Sequence, residues 1–179
     1  MNKTMLMVPA CAALLLVACG GSDAPAPADA VAPAAEQAVA ADAPVATSVA
    51  ATPYAMVDGA PTSGHCALDA VNGQPGPEVR VPAGGRVMFG GWLATAELQL
   101  PQGALLVLGN GAQSHSAPMA SGAPRPDVAA ALGSEALANS GFNLDVDLAG
   151  VPAGSYQLVA VLDPTTSAHC PLNVVLVLE

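Results

Sequence analysis

An alanine- and proline-rich stretch from residue 20 to residue 61 limits how much of this chain can fold. Twenty-two of its 42 residues are alanine or proline, and it has five acidic residues but no lysine or arginine. Each proline removes a backbone donor and disfavours helix in the preceding residue, so the alternating run at 24–28 favours extended chain. We expect a disordered tether with an r.m.s. span of roughly 35 to 40 Å. The folded domain is therefore predicted to occupy residues 62–179.

The charge balance excludes one class of partner. The 179 residues contain 14 acidic and four basic residues, for a formal net charge of -10. Holding a nucleic-acid backbone requires a basic surface, and this chain lacks the lysines and arginines to build one. The same shortage argues against a patch that binds anionic lipid headgroups. We therefore expect no nucleic-acid partner.

Residues 1–18 have the organisation of a secretory signal peptide. Lys3 precedes an apolar run at 5–18, which is shorter than the roughly 20 residues that a membrane-spanning helix needs. The run ends in Leu16-Val17-Ala18-Cys19, which resembles the lipobox of bacterial lipoproteins, where the cysteine is lipidated and becomes the mature N-terminus. An ordinary cleaved signal peptide is the alternative.

The lipobox resemblance implies a specific anchor and location. It implies a diacylglycerol thioether and an acylated amine on Cys19, which would make the membrane a partner through the lipid. Residues 19–61 would then be the lipidated cysteine and its tether. By the sorting rule of such lipoproteins, Gly20 rather than aspartate after the cysteine implies passage to the bacterial outer membrane, facing either the periplasm or the outside.

The segment from 62 to 179 has the pattern of an all-β domain. Strand-like runs with turn residues between them are predicted at 66–71, 78–81, 86–93, 97–100, 104–108, 112–119, 142–148, 155–162 and 172–178. Asn110-Gly111 predicts a hairpin, and the alternation at 142–148 is typical of a strand buried on one face. One helical segment at 125–132 begins with proline and an acid and is broken at Gly133. Seven to nine short strands with one short helical crossover predict an immunoglobulin-like antiparallel β-sandwich.

Four short motifs in this domain resemble an accessory sandwich domain of bacterial envelope and surface-glycan proteins. The motifs are Gly91-Trp92, Arg125-Pro126-Asp127-Val128, Ser140-Gly141-Phe142 and Pro152-Ala153-Gly154-Ser155-Tyr156. The resemblance covers most of residues 66–179 and marks Trp92, Arg125, Asp127 and Phe142 as a structural motif. We expect Asp127 to cap the helix and Arg125 to tie its loop to a carbonyl or carboxylate, with a ligand contact as the alternative.

The cysteines predict a disulfide. Cys11 would leave with the signal peptide and Cys19 would be lipidated, which leaves Cys66 and Cys170 near the starts of the first and last predicted strands. In an oxidising periplasm this pair is expected to form a disulfide. The alternative is a metal site, because His65 precedes Cys66 and His169 precedes Cys170. Adjacent residues on a strand point to opposite faces, which disfavours that site.

No motif in the chain predicts catalysis or a cofactor. Ser114-His115-Ser116 lies in a predicted hairpin strand, where neighbours diverge, so we interpret it as a surface strand rather than a nucleophile with its base. Asp145 and Asp147 fit the solvated face of a strand. We expect no catalytic residues and no cofactor.

The predicted function is a noncatalytic envelope lipoprotein that acts as a binding or structural module for an envelope protein or glycan. A carbohydrate-binding accessory to envelope polysaccharide is the first alternative, and a metal-binding domain built on the His-Cys pairs is the second. The aromatic census weighs against a glycan-stacking platform, because Phe89, Trp92, Phe142 and Tyr156 all lie in predicted core strands. An exposed Trp92 would favour a glycan.

Overall fold

Strands account for most of what the computed structural model describes, which is residues 49–56 and 59–179. One sheet has four strands, in spatial order β1 (Val49–Ala50), β8 (Gly141–Asp147), β5 (Arg86–Ala94) and β3 (His65–Val71). The other sheet has six, in spatial order β2 (Thr52–Tyr54), β7 (Ser114–Pro118), β6 (Leu105–Gly109), β9 (Gly154–Asp163), β10 (Ala168–Leu178) and β4 (Glu78–Val81). The predicted β-sandwich is confirmed, and the arrangement is compatible with an immunoglobulin-like class.

Most neighbouring strands are antiparallel, as predicted, but each sheet has one parallel pair at an edge. β1 runs parallel to β8, and β4 runs parallel to β10. The main core lies between the sheets and is formed by the apolar residues of the alternating strands, such as Phe142, Leu144 and Val146 of β8. The strand with one buried face that the alternation at 142–148 predicts is therefore confirmed, because the residues between Phe142, Leu144 and Val146 face outward.

A single helical crossover joins the two sheets between β7 and β8. Helix α1 (Pro126–Leu132) is followed by a 3₁₀ turn at Glu135–Leu137. The helix ends at Gly133, whose φ of 66° is left-handed and suits glycine. Its one buried residue, Val128, forms a second, smaller apolar cluster with Ala94 and Leu137, and Trp92 packs against that cluster. No helix in the described part of the chain is long and apolar enough to cross a membrane.

Tyr156 forms a corner that is typical of immunoglobulin-like sandwiches. Its ring is fully buried near the start of β9, and its hydroxyl donates a 2.8 Å hydrogen bond to the carbonyl oxygen of Pro152. A tyrosine that bonds back to the backbone a few residues upstream is a recurring feature of that class. The Pro152–Tyr156 bond fixes the turn that leads into β9.

The disulfide predicted from the cysteine count is present and links the two sheets. Cys66 in β3 and Cys170 in β10 are bonded, with Cα atoms 6.2 Å apart and 104 residues between them in sequence. Both residues pack with the main core. The bond therefore closes most of the folded chain into one loop.

The structure corrects the N-terminal boundary of the domain. Val49–Ala50 and Thr52–Tyr54 are strands, although they fall within the predicted 19–61 tether. β1 pairs with the four-stranded sheet and β2 with the six-stranded sheet, so this segment bridges both, and Val49 and Ala51 pack on the core. Residues 1–48, which include the predicted signal peptide, Cys19 and most of the tether, lie outside the described residues.

A second correction concerns the strand predicted at 97–100. These residues form a turn, in which the Thr95 amide bonds the Gln99 carbonyl at 2.9 Å and Leu98 has a φ of 56°. Leu98 and Leu100 instead pack against the apolar cluster under the helix. Their apolar character therefore reflects burial beside α1 rather than sheet pairing.

Candidate functional site

A row of residues crosses the outer face of the six-stranded sheet and forms the floor of a cavity. Tyr54 of β2 pairs with Ser114 of β7, Ser114 pairs with Gly109 of β6, and Gly109 pairs with Gln157 of β9. Directly paired residues share one face of a sheet, so these four positions lie side by side. Because Gly109 has no side chain, the row has a depression between Ser114 and Gln157.

The chain that follows β2 forms the roof of this cavity. We use the name strap cavity for a space of about 630 Å³ between the sheet and residues 55–56 and 59–60. Its described lining consists of Tyr54, Ala55, Met56, Gly59, Ala60, Gly109, Gly111, Ala112, Gln113, Ser114, Gln157, Val159 and His169. The strap is held at one end by β2 and at the other by Pro61, whose carbonyl accepts a 3.0 Å hydrogen bond from the His169 amide. Residues 57 and 58 lie outside the described residues.

The polar side chains of the strap cavity are available to a ligand. Within the described part of the chain, the side-chain polar atoms of Tyr54, Gln113 and Gln157 have no hydrogen-bond partner in the protein. His169 Nδ1 lies 3.3 Å from the Ser167 carbonyl oxygen, so a proton on Nδ1 would leave Nε2 as an acceptor. The cavity therefore offers hydroxyl, amide and imidazole groups together.

Two of the four motif residues marked by resemblance, Arg125 and Phe142, lie elsewhere and line a groove on the outer face of the four-stranded sheet. We use the name arginine groove for this space of about 320 Å³, lined by Asp69, Ala70, Gly90, Gly91, Ala123, Pro124, Arg125, Gly141, Phe142 and Asn143. Arg125 Nη1 lies 2.7 Å from Asp69 Oδ2, and Arg125 Nη2 lies 2.8 Å from Asp127 Oδ2. Arg125 thus ties its loop to a carboxylate, as expected from the sequence.

The predicted helix cap at Asp127 is wrong. Arg125 occupies the N-cap position without a side-chain capping bond, and Asp127 lies in the first turn. The Asp127 carboxylate instead receives hydrogen bonds from the Arg125 guanidinium, which lower the pKa of Asp127 to about 2. The same bond to Asp127 is the largest cause of a raised pKa at Arg125. Two carboxylates therefore occupy the guanidinium and leave little of its charge for an anion.

Trp92 and Phe142 have structural positions on opposite sides of the four-stranded sheet. Phe142 is 2% exposed and belongs to the main core. Trp92 is partly buried against the cluster under α1. Gly91 leaves room for Phe142 in the core, because a Cβ at position 91 would lie 2.9 Å from the Phe142 ring. Trp92 is only partly exposed and does not line the arginine groove, so it does not provide there the exposed stacking surface that would have favoured a glycan.

The candidate metal ligands do not form a site. Both cysteine sulfurs are used by the Cys66–Cys170 disulfide, His65 is exposed, and His169 lines the strap cavity. The described residues contain no group of three or more histidine, cysteine, aspartate or glutamate side chains placed to hold a metal ion. The disulfide therefore removes the sulfur ligands on which the alternative depended.

The structure separates Ser114 from His115. Ser114 lines the strap cavity, whereas His115 is buried and faces Tyr156 edge-on at 6.4 Å between ring centroids. The hairpin around Asn110-Gly111 is confirmed, but the expectation of a surface strand is wrong, since His115 and Ser116 are each 7% exposed. His115 Nε2 is buried with no hydrogen-bond partner among the described residues.

The predicted solvated carboxylates of β8 serve local structure. Asp145 Oδ2 lies 2.7 Å from Arg86 Nη2, and Asp147 Oδ1 accepts a 2.8 Å hydrogen bond from the Ala149 amide. Both side chains are partly buried rather than fully solvated. These contacts account for the acidic side chains on this strand.

Sequence reasoning missed Tyr54 as a residue that lines the strap cavity. It lies in the Ala/Pro-rich stretch, and the aromatic census considered only the predicted core strands. The signal that could have found it is that the chain has only five aromatic residues and Tyr54 is the only one before residue 62.

No family model matches the chain, and comparisons with curated proteins and with solved structures likewise found no match.

Proposed function

We propose that the protein is a noncatalytic bacterial envelope lipoprotein whose β-sandwich acts as a binding module. In this proposal, residues 1–18 are removed and lipidated Cys19 anchors the chain to the outer membrane, while residues 20–48 act as the tether. The observation that carries the binding role is the strap cavity, in which the side-chain polar atoms of Tyr54, Gln113 and Gln157 have no partners in the described part of the protein. Concave sites with a few convergent polar groups on a rigid scaffold are typical of ligand binding.

The geometry of the strap cavity favours binding over catalysis. A nucleophile and its base must lie within hydrogen-bond distance of each other. Ser114 and His169 line the same cavity, but they are on β7 and β10, which are three strand positions apart, or roughly 14 Å at about 4.8 Å per strand. The histidine adjacent to Ser114 in sequence points into the core. These positions support a binding role for the serine hydroxyl.

A carbohydrate-binding accessory is the second candidate function. The specific observation that favours it is the combination of a partly exposed tyrosine with hydroxyl, amide and imidazole groups in the described lining of one cavity. Tyrosine presents both an apolar ring and a polar hydroxyl. The disulfide across the two sheets would keep such a site in shape in the oxidising envelope.

Two experiments test the proposed function. For the anchor, we expect the parent chain to partition into the detergent phase and a Cys19→Ala variant to remain in the aqueous phase. Equal partitioning of the two would refute the lipid anchor.

For the binding role, the full-length protein is crosslinked in isolated envelopes and recovered, and we expect a protein or glycan to be enriched over a scrambled-sequence control. Recovery of neither would contradict the binding role.

A further inference from the structure

We propose that the protein forms a symmetric dimer in which the free edge of β4 pairs with the same edge of a second copy. This inference goes beyond the proposed binding function and does not depend on it. It rests on the direction of the backbone groups of β4, the order of the charges along that strand and the condition of the other sheet edges.

β4 is the last strand of the six-stranded sheet, and no strand of the described residues pairs with its outer side. On its inner side, the carbonyl oxygens of Pro77 and Val81 accept hydrogen bonds of 2.8 and 3.1 Å from amides in and directly after β10. Successive residues of a strand direct their backbone groups to opposite sides. The N–H and C=O groups of Glu78 and Arg80 therefore point to the free edge, where they can pair with another strand.

The order of charges on β4 is complementary to itself in one antiparallel register. When Val79 lies opposite Val79 of the second copy, Glu78 of each chain lies directly opposite Arg80 of the other. These are the residues whose backbone groups point outward, so each opposite pair exchanges both of its N–H···O bonds. Their side chains share the exposed face of the strand, and opposite charges at directly paired positions stabilise a sheet.

The neighbouring registers are unfavourable. Centring the pair on Glu78 or on Arg80 would place like charges opposite each other. Centring it on Val81 would place Arg80 opposite Pro82, which has no N–H to donate. The sequence of the strand therefore specifies the register centred on Val79. Because both copies use the same edge, the contact closes on itself as a two-fold symmetric dimer.

The ion pairs of the single chain can rearrange into those of the dimer. Arg80 lies 2.7 Å from Glu78 and 3.2 Å from Glu179, and more than half of each side chain is exposed. Exposed pairs of this kind contribute little to stability, so they exchange readily. In the dimer, Arg80 keeps Glu179 and replaces the Glu78 of its own chain with Glu78 of the second copy. The backbone hydrogen bonds of the paired edges are then gained without the loss of an ion pair.

The other described sheet edges are less suited to pairing. β3 is the free edge of the four-stranded sheet, but its ladder has a register shift between Leu68 and Ala70. Asp69, at that irregularity, is bound to Arg125. Bulges of this kind hinder the addition of another strand. β1 has only two residues, and β2 has three, of which one is Pro53.

The test is analytical ultracentrifugation of the full-length protein in an excess of detergent micelles. The protein concentration extends to about 1 mM, because a contact between two short strands is expected to be weak. We expect the parent to form a reversible dimer. Glu78→Arg and Arg80→Glu each place like charges opposite one another, so each variant alone should lose roughly tenfold or more in association constant.

An equal mixture of the two variants is the decisive sample. On β4, the Glu78→Arg chain carries two cations and the Arg80→Glu chain two anions, so the mixture should recover the association of the parent. Arg86→Glu, on the exposed face of β5 in the other sheet, makes the same charge change as Arg80→Glu and should associate like the parent. Any sharing of micelles through the lipid is equal in all of these proteins and does not follow this charge pattern.

The other outcomes overturn the inference. A parent that stays monomeric over this range shows that the edge does not pair with a second copy, whether or not residues of its own chain cover it. A dimer that both single variants form as well as the parent lies at another surface. A mixture of folded variants, as judged by thermal unfolding, that does not recover association excludes the register centred on Val79. In the envelope crosslinking experiment, capture of a different protein that Arg80→Glu abolishes would assign the edge to that protein instead.

Discussion

At the scale of single residues, the tyrosine corner gives a test of the immunoglobulin-like class. Replacing Tyr156 with phenylalanine keeps the buried ring but removes the hydroxyl that bonds the Pro152 carbonyl. We expect the free energy of unfolding to fall by about 1 kcal/mol, the usual net value of one hydrogen bond. The measurement is urea unfolding. Tyr54→Phe is the matched control, since the Tyr54 hydroxyl has no partner among the described residues, and an equal loss in both variants would contradict this role for Tyr156.

The ion pairs of Arg125 predict a specific pH dependence. Hydrogen bonds from Arg125 lower the pKa of Asp127 to about 2, below the value of about 3.9 expected in the unfolded chain. A carboxyl with a lowered folded-state pKa contributes stability above the unfolded pKa and loses it as the pH falls through the folded pKa. We therefore expect Arg125→Gln to flatten the loss of stability between about pH 4 and pH 2. The measurement is urea unfolding across that range.

The control for this prediction is Arg80→Gln. Arg80 also pairs with two acidic residues, Glu78 and Glu179, but lies far from Asp127 on the edge strand β4. Because its pairs are exposed, its effect should be small. Parallel pH profiles for Arg125→Gln and the parent would show that the pair at Asp127 makes no contribution to folding.

At the scale of elements, the disulfide is expected to be a large contributor to stability. It closes a loop across 104 residues, and the chain-entropy model gives up to about 4.7 kcal/mol for a loop near this length. A Cys66→Ala/Cys170→Ala double variant should therefore lose roughly 2 to 4 kcal/mol in unfolding free energy. Adding reductant to the parent should produce a similar loss but should leave the double variant unchanged. A parent that is insensitive to reductant under unfolding conditions would contradict the expectation.

The two short strands at 49–54 predict where a truncated chain stops folding. A chain that starts at residue 49 retains β1 and β2, whereas one that starts at residue 62 exposes the edges of β7 and β8 and removes Val49 and Ala51 from the core. We expect the longer fragment to unfold at the same denaturant concentration as the full chain and the shorter one at a clearly lower concentration. Equal midpoints for the two fragments would show that the domain does begin at residue 62.

The elements that sequence predicted are those with a strong local signal. The alternation at 142–148 and the Asn110-Gly111 turn each specify their own conformation, and both are confirmed. β1 and β2 carry no such signal, because strands of two and three residues are too short to show an alternation, and each pairs with a strand distant in sequence, β8 or β7. The strap cavity was missed for the same reason. Its floor comes from residues that are distant in sequence, and the row from Tyr54 to Gln157 exists only after the sheet has formed.

At the scale of the whole molecule, the central claim is a tethered, noncatalytic module that binds its ligand at the strap cavity. The most direct measurement is amide chemical-shift mapping of the isotope-labelled full-length chain during titration with neutral oligosaccharides such as maltohexaose. We predict that the largest shifts occur at Gly109, Ser114 and Gln157. Shifts concentrated at Gly90 and Asn143 in the arginine groove, or no saturable shifts at all, would contradict the account.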